Sequence, residues 1–544
     1  MSDTFDYVII GSGTAGGVLA KRLSEDPGST VAVIEAGPPD LHPFIHIPAG
    51  FMYTMTDPTV NWLYQTEPCA GTAGRAIKQP RGKTLGGSSS INGHIYNRGA
   101  RLDYDLWSQF GNRGWDYASV LPYFKRSERR IGDGDVTFRG QDGELAVTDL
   151  DVHHPLCEAF MDGAVGMGIP RNPDYNGAKQ DGVGYFQRCI HRRRRVSSAT
   201  AFLRPAMKRR NLRVYTGTHA LRLELDGKRA TGVTCRRAGA EVTIRARREV
   251  IVSGGSINSP QLLQLSGIGP GRLLQSLGIA LRHELPGVGE NLRDHFGVRM
   301  TVRVKNMQTI NERARGLRLG REILAYFAGM DSILNLQPTL VHVFWRSRPQ
   351  VEVCDLQMTF TPASYQEGVQ SQLDEFPGAT MAVWQQRPDS SGYVRAVSPD
   401  PFAKPAIQPN YLAEAADRAV LLDGLRLARS LIHTPELAPY LDREESPGAQ
   451  VQSDQEWLDY ARARGTTTFH PAGSCKMGPA SDRMAVVSDT LQVHGIDALR
   501  VVDASVMPTM VSANTNAATL MIAEKAADLI LGRTPPPAVE LRDE

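Results

Sequence analysis

Two periods of apolar residues organise the chain. Residues 6–10 (DYVII) form an unbroken apolar, β-branched run, the pattern of a strand buried in a parallel sheet. A glycine-rich turn follows, then Val18, Leu19 and Leu23 on one helical face, then a second apolar run, VAVIE, ending at Glu35. Residues 249–269 (EVIVSGGSINSPQLLQLSGIG) predict a strand, a Gly-Gly turn and a helix. That helix has Ser259 as N-cap, Pro260 at its first position, Leu262, Leu263 and Leu265 on an apolar face, and Gly267 as its stop. In LRLELDGKRATGVTC the pair Asp226-Gly227 marks a hairpin. EVCDLQMTF (352–360) and ATMAVWQQR (379–387) predict strands of a second sheet. Residues 412–433 predict an amphipathic helix through Val420, Leu421, Leu425, Ala428 and Ile432, and another helix runs from Thr515 to Leu531. The segment 301–335, with RARGLRLGRE, is expected to form a lid or access segment, and the tail PPPAVELRDE to be disordered. No internal repeat is present.

Composition narrows the class. The 544 residues are 41% hydrophobic and 22% charged, enough apolar material for a large core. The charge balance, 61 − 58 = +3, argues against a nucleic-acid scaffold. Cys69, Cys157, Cys189, Cys235, Cys354 and Cys475 form no C-x-x-C, so a zinc ribbon, a c-type haem, an iron–sulfur cluster and a disulfide-stapled scaffold are not expected, and no metal site is predicted. No apolar run reaches 18 residues, and MSDTFDYVII lacks a basic n-region. The resulting expectation is a cytoplasmic enzyme, with association to the inner face of a membrane and a homodimer both left open. Glycine is in mild excess, 52 of 544 against a typical share of roughly 7%, and the glycines cluster.

The first cluster, Gly11-Ser12-Gly13-Thr14-Ala15-Gly16, fits G-x-G-x-x-G between the first strand and helix. Gly11 permits the tight turn, Gly13 lets backbone approach a pyrophosphate, and Gly16 lets helix and strand pack closely. The helix N-terminus supplies N–H groups and a positive dipole to the phosphates. Glu35 sits where a carboxylate accepts ribose hydroxyls and disfavours a 2′-phosphate. Strand, helix, strand and acid in this order point to a dinucleotide, without separating FAD from NAD. The second cluster, Gly82-Lys83-Thr84-Leu85-Gly86-Gly87-Ser88-Ser89-Ser90-Ile91-Asn92-Gly93, is flanked by Arg81 and by His94-Ile95-Tyr96. Its small residues suit close approach to a flat polar ligand, the alternative being a flexible surface loop.

With these segments the chain resembles the glucose–methanol–choline oxidoreductases, which bind FAD and oxidise alcohols. The resemblance takes in the second cluster through Asp105, Gly255–Gly269, PGVGENLRDH (286–295), FHPAGSCKMG (469–478), VVDASVMP and NTNAATLMIAEKAADLI (within 501–530), and so nearly the whole chain. Within the family the likeness is to bacterial choline-dehydrogenase-like and alcohol dehydrogenases. It implies an α/β (α+β) fold: a Rossmann-like FAD-binding domain and a second, substrate-binding domain built on an antiparallel sheet. The first domain is expected to comprise 1–43, 80–160, 195–300 and 476–544, and the second, with its lid, 44–79, 161–194 and 301–475.

The resemblance also implies cofactor contacts. Besides the first cluster and Glu35 these are Ala36, Trp62, Arg81, Gly82, Leu85, Gly86, Gly87, Ser88, Asn92, Gly93, His94 and Ile95. Ala220, Asp503, Ala504, Thr515 and Asn516 complete the set. Some relatives carry a histidine, linked covalently to the flavin, where this chain has Ile91, so non-covalent FAD is expected and His94 is read as lining the flavin pocket. Where relatives often read R-P-x-S-R-G this chain has Arg387-Pro388-Asp389-Ser390-Ser391-Gly392, so local salt bridging is not carried over.

Alcohol oxidation removes a proton from the hydroxyl and a hydride from carbon, which calls for a neutral base and a partner for the alkoxide. Of thirteen histidines, His470 aligns with the family's active-site histidine and is assigned as base; Asn514 occupies the second active-site position, and as an amide it orients the hydroxyl while standing at the N-cap of the last helix. The start of that helix is expected at the flavin's pyrimidine edge. Electrons then pass to an external acceptor, a quinone-like carrier or O2. The run Arg192–Arg195 is read as a solvated loop or interface, with anionic steering as the alternative. The alternatives are an FAD-containing hydroxynitrile lyase and a non-redox flavoprotein of the same fold, the second of which the His470/Asn514 pair argues against; the glycine-rich segments 82–93 and 249–269 argue against a plain NAD-dependent dehydrogenase. For the substrate, a primary alcohol, aliphatic or aromatic, is as far as the residues reach. Trp62, Tyr64, Phe360, Trp384 and Glu352 are too scattered to define a cage for a trimethylammonium group.

Overall fold

The computed structural model describes residues 3–366 and 372–541. In chain order the elements that position the site begin with β1 (Asp3–Ile10), α1 (Thr14–Leu23), β2 (Val31–Ile34), α2 (Pro155–Gly166), β3 (Gly182–Tyr185) and β4 (Leu212–Tyr215). Then come β5 (Thr218–Asp226), β6 (Arg229–Arg237), β7 (Ala240–Val252), α3 (Gly255–Leu265), β8 (Phe296–Val304), α4 (Gly316–Phe327) and β9 (Val341–Trp345). The last are β10 (Leu356–Thr361), β11 (Gly378–Gln385), α5 (Ala415–Ile432), β12 (Leu441–Ser446), β13 (Thr466–Thr467), β14 (Leu499–Val501) and α6 (Thr515–Leu531).

The first sheet has the order β4-β2-β1-β7-β6-β5, with β14 beside β7. Strands β4, β2, β1, β7 and β14 are parallel, and the apolar runs Tyr7–Ile10 of β1, Val31–Ile34 of β2 and Val250–Val252 of β7 are buried on both faces. Strands β5, β6 and β7 form the antiparallel meander that the hairpin signal announced, with Gly227-Lys228 as the turn, one residue later than expected. The second sheet, β12-β8-β11-β10-β9-β3 with β13 beside β8, is antiparallel throughout. Its two faces differ in kind. Val298, Met300, Met358, Phe360, Met381 and Val383 share a core with Leu156 and Phe160 of α2 and Leu421 and Leu425 of α5. The alternate residues, Gly297, Arg299, Thr359, Thr361, Thr380, Ala382 and Trp384, turn to a cavity on the other face. The expected α/β architecture with a second antiparallel sheet is what forms; the chain gives that sheet β3 (Gly182–Tyr185) first and returns to it at Phe296.

Four local expectations are corrected. Helix α3 starts at Gly255, which puts Pro260 inside it; the Ser256 carbonyl that Pro260 leaves without a helical partner accepts the Ser474 hydroxyl at 2.6 Å. Arg195 is not solvated: it is buried, and its guanidinium donates to the carbonyls of Ile45, Ser89 and Asn92. The tail is ordered as far as it is described, since the Val539 N–H donates to the Ala118 carbonyl at 3.0 Å. None of residues 301–335 lines the cavity, and α4 lies on the surface with Leu317, Leu324 and Phe327 exposed.

Candidate active site

The cavity between the sheets measures about 410 Å³; another pocket, beside Asp294 and Tyr411, only about 20 Å³. The ends of β1 and β2 contribute Gly11, Gly13, Thr14 and Ala15, then Glu35 and Ala36; Ala220 of β5 and Trp62 join them. Arg81, Gly82, Gly87, Ser88, Asn92, Gly93, His94 and Ile95 line it from the second glycine cluster, and Asp503, Ala504, Asn514, Thr515, Asn516 and His470 from the C-terminal part.

Four expected contact residues are not on its wall. Gly16 sits where a Cβ would lie 1.9 Å from the Gly11 carbonyl. The Ser12 hydroxyl donates to the Glu35 carboxylate at 2.6 Å, holding β1 to β2. Leu85 is buried in the first core, and Gly86 has φ +85 and donates its N–H to the Ser12 carbonyl.

The cavity suits a dinucleotide on its own chemistry. A Cβ on Gly87 (φ +51) would come within 2.7 Å of the Gly13 Cα, so the two glycine loops touch only because both lack side chains. The N-termini of α1 and α6 converge here, tied by the Thr14 hydroxyl donating to Asn516 Oδ1 at 2.9 Å, and they turn two positive dipole ends on the same space. Asp503 is buried; its carboxylate accepts Gly255 N–H at 2.8 Å, the Ser259 hydroxyl at 2.6 Å and Ser505 N–H at 2.8 Å, which fixes the start of α3 against the cavity. Ser259 therefore donates its hydroxyl to Asp503 and accepts the Gly254 N–H at 2.9 Å from inside α3, not as its N-cap. Ile91 presents only hydrocarbon to the cavity, and the His94 Nε2–H donates to the Pro48 carbonyl at 3.0 Å.

At the other side of the cavity stands an ordered row of side chains. His295 Nε2 lies 2.7 Å from the Gln386 carbonyl, a pure acceptor, so that nitrogen carries the proton. Burial lowers the His295 pKa to about 4, so the ring is neutral and its Nδ1 offers a lone pair. His470 Nδ1 is 2.9 Å away and 2.8 Å from the Thr468 hydroxyl; it must carry the proton, which leaves the lone pair of His470 on Nε2. That lone pair accepts Asn514 Nδ2–H at 2.9 Å. Burial, the neighbouring His295 and the Arg81 cation hold His470 well below the usual imidazole range. Asp294 anchors the backbone: one oxygen accepts His470 N–H at 2.8 Å, and the other accepts Gln79, Tyr411 and Thr467. The Asn514 side chain is thus committed to His470 and makes no capping bond to α6, although its backbone occupies the N-cap.

Sequence reasoning singled out His470 and Asn514 but not His295, Asp294, Thr468 or Gln386. The available signal was the end of PGVGENLRDH, where Asp294-His295 immediately precedes β8. The five residues weighed for a cage do not come together. Trp62 and Trp384 line the cavity, Tyr64 is stacked behind Trp62 at 5.8 Å, Phe360 stacks on Phe160 in the opposite core at 4.3 Å, and Glu352 lies away from the cavity. Arg387 donates to Ser512 and to the Val353 and Cys354 carbonyls.

Residues 5–297 match the N-terminal and residues 388–523 the C-terminal model of the GMC oxidoreductases. The chain is 42% identical over 542 residues to an oxygen-dependent choline dehydrogenase of Staphylococcus saprophyticus, covering 98% of this chain and 96% of that protein. Among solved structures, pyridoxine 4-oxidase from Mesorbium loti is 30% identical with a TM-score of 0.86, over 96% of this chain and 98% of that one. A variant of Aspergillus oryzae formate oxidase is 28% identical with a TM-score of 0.90, over 98% of each chain.

Proposed function

The chain belongs to the GMC oxidoreductase family, and from that premise we propose that it oxidises a primary alcohol to an aldehyde with His470 as general base. The carrying observation is the proton arrangement along Gln386, His295, His470 and Asn514, which leaves a lone pair at His470 Nε2 on the cavity wall. A substrate hydroxyl reaching Nε2 gives up its proton there, and the charge that forms on His470 is shared through Nδ1–H with His295 and Thr468. Asn514 Nδ2–H, freed from the lone pair when Nε2 is protonated, then donates to the alkoxide oxygen. The neutral state of His470 keeps it ready as a base without a prior deprotonation.

FAD, bound here without a covalent link, would supply the hydride acceptor, with an external quinone-like carrier or O2 as the final acceptor of the electrons. The residues suited to hold it are the Gly11–Ala15 turn and the start of α1 for the pyrophosphate, Glu35 for the ribose, and Thr515 and Asn516 at the start of α6 for the ring edge that becomes negative. Ile91 offers no nucleophile for a covalent link. Choline, after which the staphylococcal relatives are named, is one candidate among primary alcohols. Replacing His470 by alanine tests the assignment: flavin is retained while its reduction by alcohol falls by about 10²- to 10⁴-fold, and near-normal reduction overturns it.

A further inference from the structure

The second sheet's cavity face carries one charge among the described residues, the guanidinium of Arg299. Its neighbours across the sheet are Ala382 on β11 and, one strand further, Thr359 on β10. Beside it stand Tyr365, whose ring lies 5.5 Å from the guanidinium, and Thr380, whose buried hydroxyl has no hydrogen-bond partner. The carboxylates on the cavity wall are Glu35 and Asp503, and both belong to the dinucleotide side, where Ser12 and Gly37 occupy the first and Gly255, Ser259 and Ser505 the second.

This sets Arg299 apart from the paired arginines inside the protein, and from Arg81, which shares the cavity but donates to the Phe469 carbonyl at 3.1 Å. Arg98 and Arg139 share Glu128, Arg22 meets Glu524 and Glu144, Arg188 meets Asp151, and Arg195 fills its donors with backbone carbonyls. Among the described residues the Arg299 guanidinium has the Tyr365 ring at 5.5 Å and no carboxylate or carbonyl partner. Burial lowers its pKa, the expected cost of a cation out of water without a counter-charge. A side chain with a planar fork of donors, always charged and open to a cavity, matches a carboxylate in shape and sign.

Its place relative to the base is fixed by β8. Gly297 pairs with Thr466, and a Cβ there would touch Thr468, two residues before His470. Arg299 follows two positions on, about 7 Å further along the same face. We propose that Arg299 sets substrate specificity by receiving a carboxylate carried by the alcohol, so that the substrate is a hydroxy acid whose hydroxyl and carboxylate lie at opposite ends. A quaternary ammonium alcohol such as choline meets a like charge in the same place. The inference rests on the alcohol-oxidation reading above.

Two readouts on the FAD-loaded protein keep the two apart. The first is equilibrium binding of benzoate and of choline, followed by the flavin spectrum. Benzoate binds at least about tenfold more tightly than choline, and Arg299→Gln removes that preference while Arg299→Lys keeps part of it. Equal binding of the two, or benzoate affinity unchanged in Arg299→Gln, overturns the proposal whether or not any alcohol reacts. The second is anaerobic flavin reduction by 4-(hydroxymethyl)benzoate, benzyl alcohol and choline. The carboxylate leads in kcat/KM, and its ratio to benzyl alcohol falls towards one in Arg299→Gln and below one in Arg299→Glu. A wild-type preference for choline overturns the proposal but leaves alcohol oxidation standing, whereas reduction by none of the three overturns the oxidation reading and leaves the anion site to the binding data. If Arg299→Gln fails to fold, the wild-type order of ligands and the lysine variant still decide.

Discussion

His295 and His470 face each other through their Nδ1 atoms, 2.9 Å apart with the ring planes at 90°. Two neutral imidazoles can share that contact only if one gives a proton and the other a lone pair. The Gln386 carbonyl at 2.7 Å decides which, because it obliges His295 to keep its proton on Nε2. The tautomer of His470 is therefore set from Gln386, through a ring that never reaches the cavity wall.

His295 acts on His470 by orientation and charge. Its replacement by alanine is expected to slow flavin reduction by about 10- to 100-fold, less than loss of His470 itself. Removing His295 also removes one of the causes that lower the His470 pKa, so the acid limb of the pH profile moves upward. A rate loss with an unmoved limb assigns His295 a packing role alone.

In the wild-type protein the base is neutral down to well below pH 6.5, the imidazole value. The rate of flavin reduction is accordingly level from about pH 6.5 to pH 8 and declines only on further acidification. A steep fall between those values contradicts the neutral-base assignment.

Stability follows the same sign. His295 and His342 are buried, with pKa values lowered to about 4 and about 3. Groups whose folded pKa is depressed bind a proton in the unfolded chain first, so the stability they leave intact at neutral pH is lost as pH falls below about 6.5. At a pH of about 4.5 each costs about 2.5 kcal/mol relative to neutral pH, which denaturant titration at the two pH values measures. Replacing His342 by phenylalanine is expected to flatten that dependence.

Arg195 holds the second glycine loop through the Ser89 carbonyl and both the carbonyl and the side-chain oxygen of Asn92. Arg195→Ala leaves those acceptors buried and the loop unpinned, so FAD affinity falls by about tenfold or more. Flavin content after gel filtration reads this directly, and full retention refutes the role.

What the sequence revealed follows the range of the interactions involved. The first βαβ unit was legible because turn, helix start and terminal acid lie within one local segment. His470 and Asn514 were legible through the blocks around them. Pro260 inside α3 was not, since the Ser474 hydroxyl that makes it tolerable lies 218 residues away. The Arg195 partners and the pairing of His295 with His470 are equally long-range. The cavity face of β8 is a different case. Its alternation, Gly297 and Arg299 against Val298, Met300 and Val302, stands plainly in FGVRMTVRV, but it gains meaning only once one face is known to cover a cavity. Leu85 and Gly86 show the converse: both stand inside a motif legible in the sequence, yet Leu85 is buried in the first core and neither lines the cavity.

The most direct test of the account is anaerobic mixing of the FAD-loaded protein with a primary alcohol near neutral pH, wild type beside His470→Ala. The account predicts that the wild-type flavin bleaches and that the variant, with its flavin still bound, bleaches about 10²- to 10⁴-fold more slowly. A bound flavin that no primary alcohol bleaches, or a variant as fast as the wild type, contradicts it.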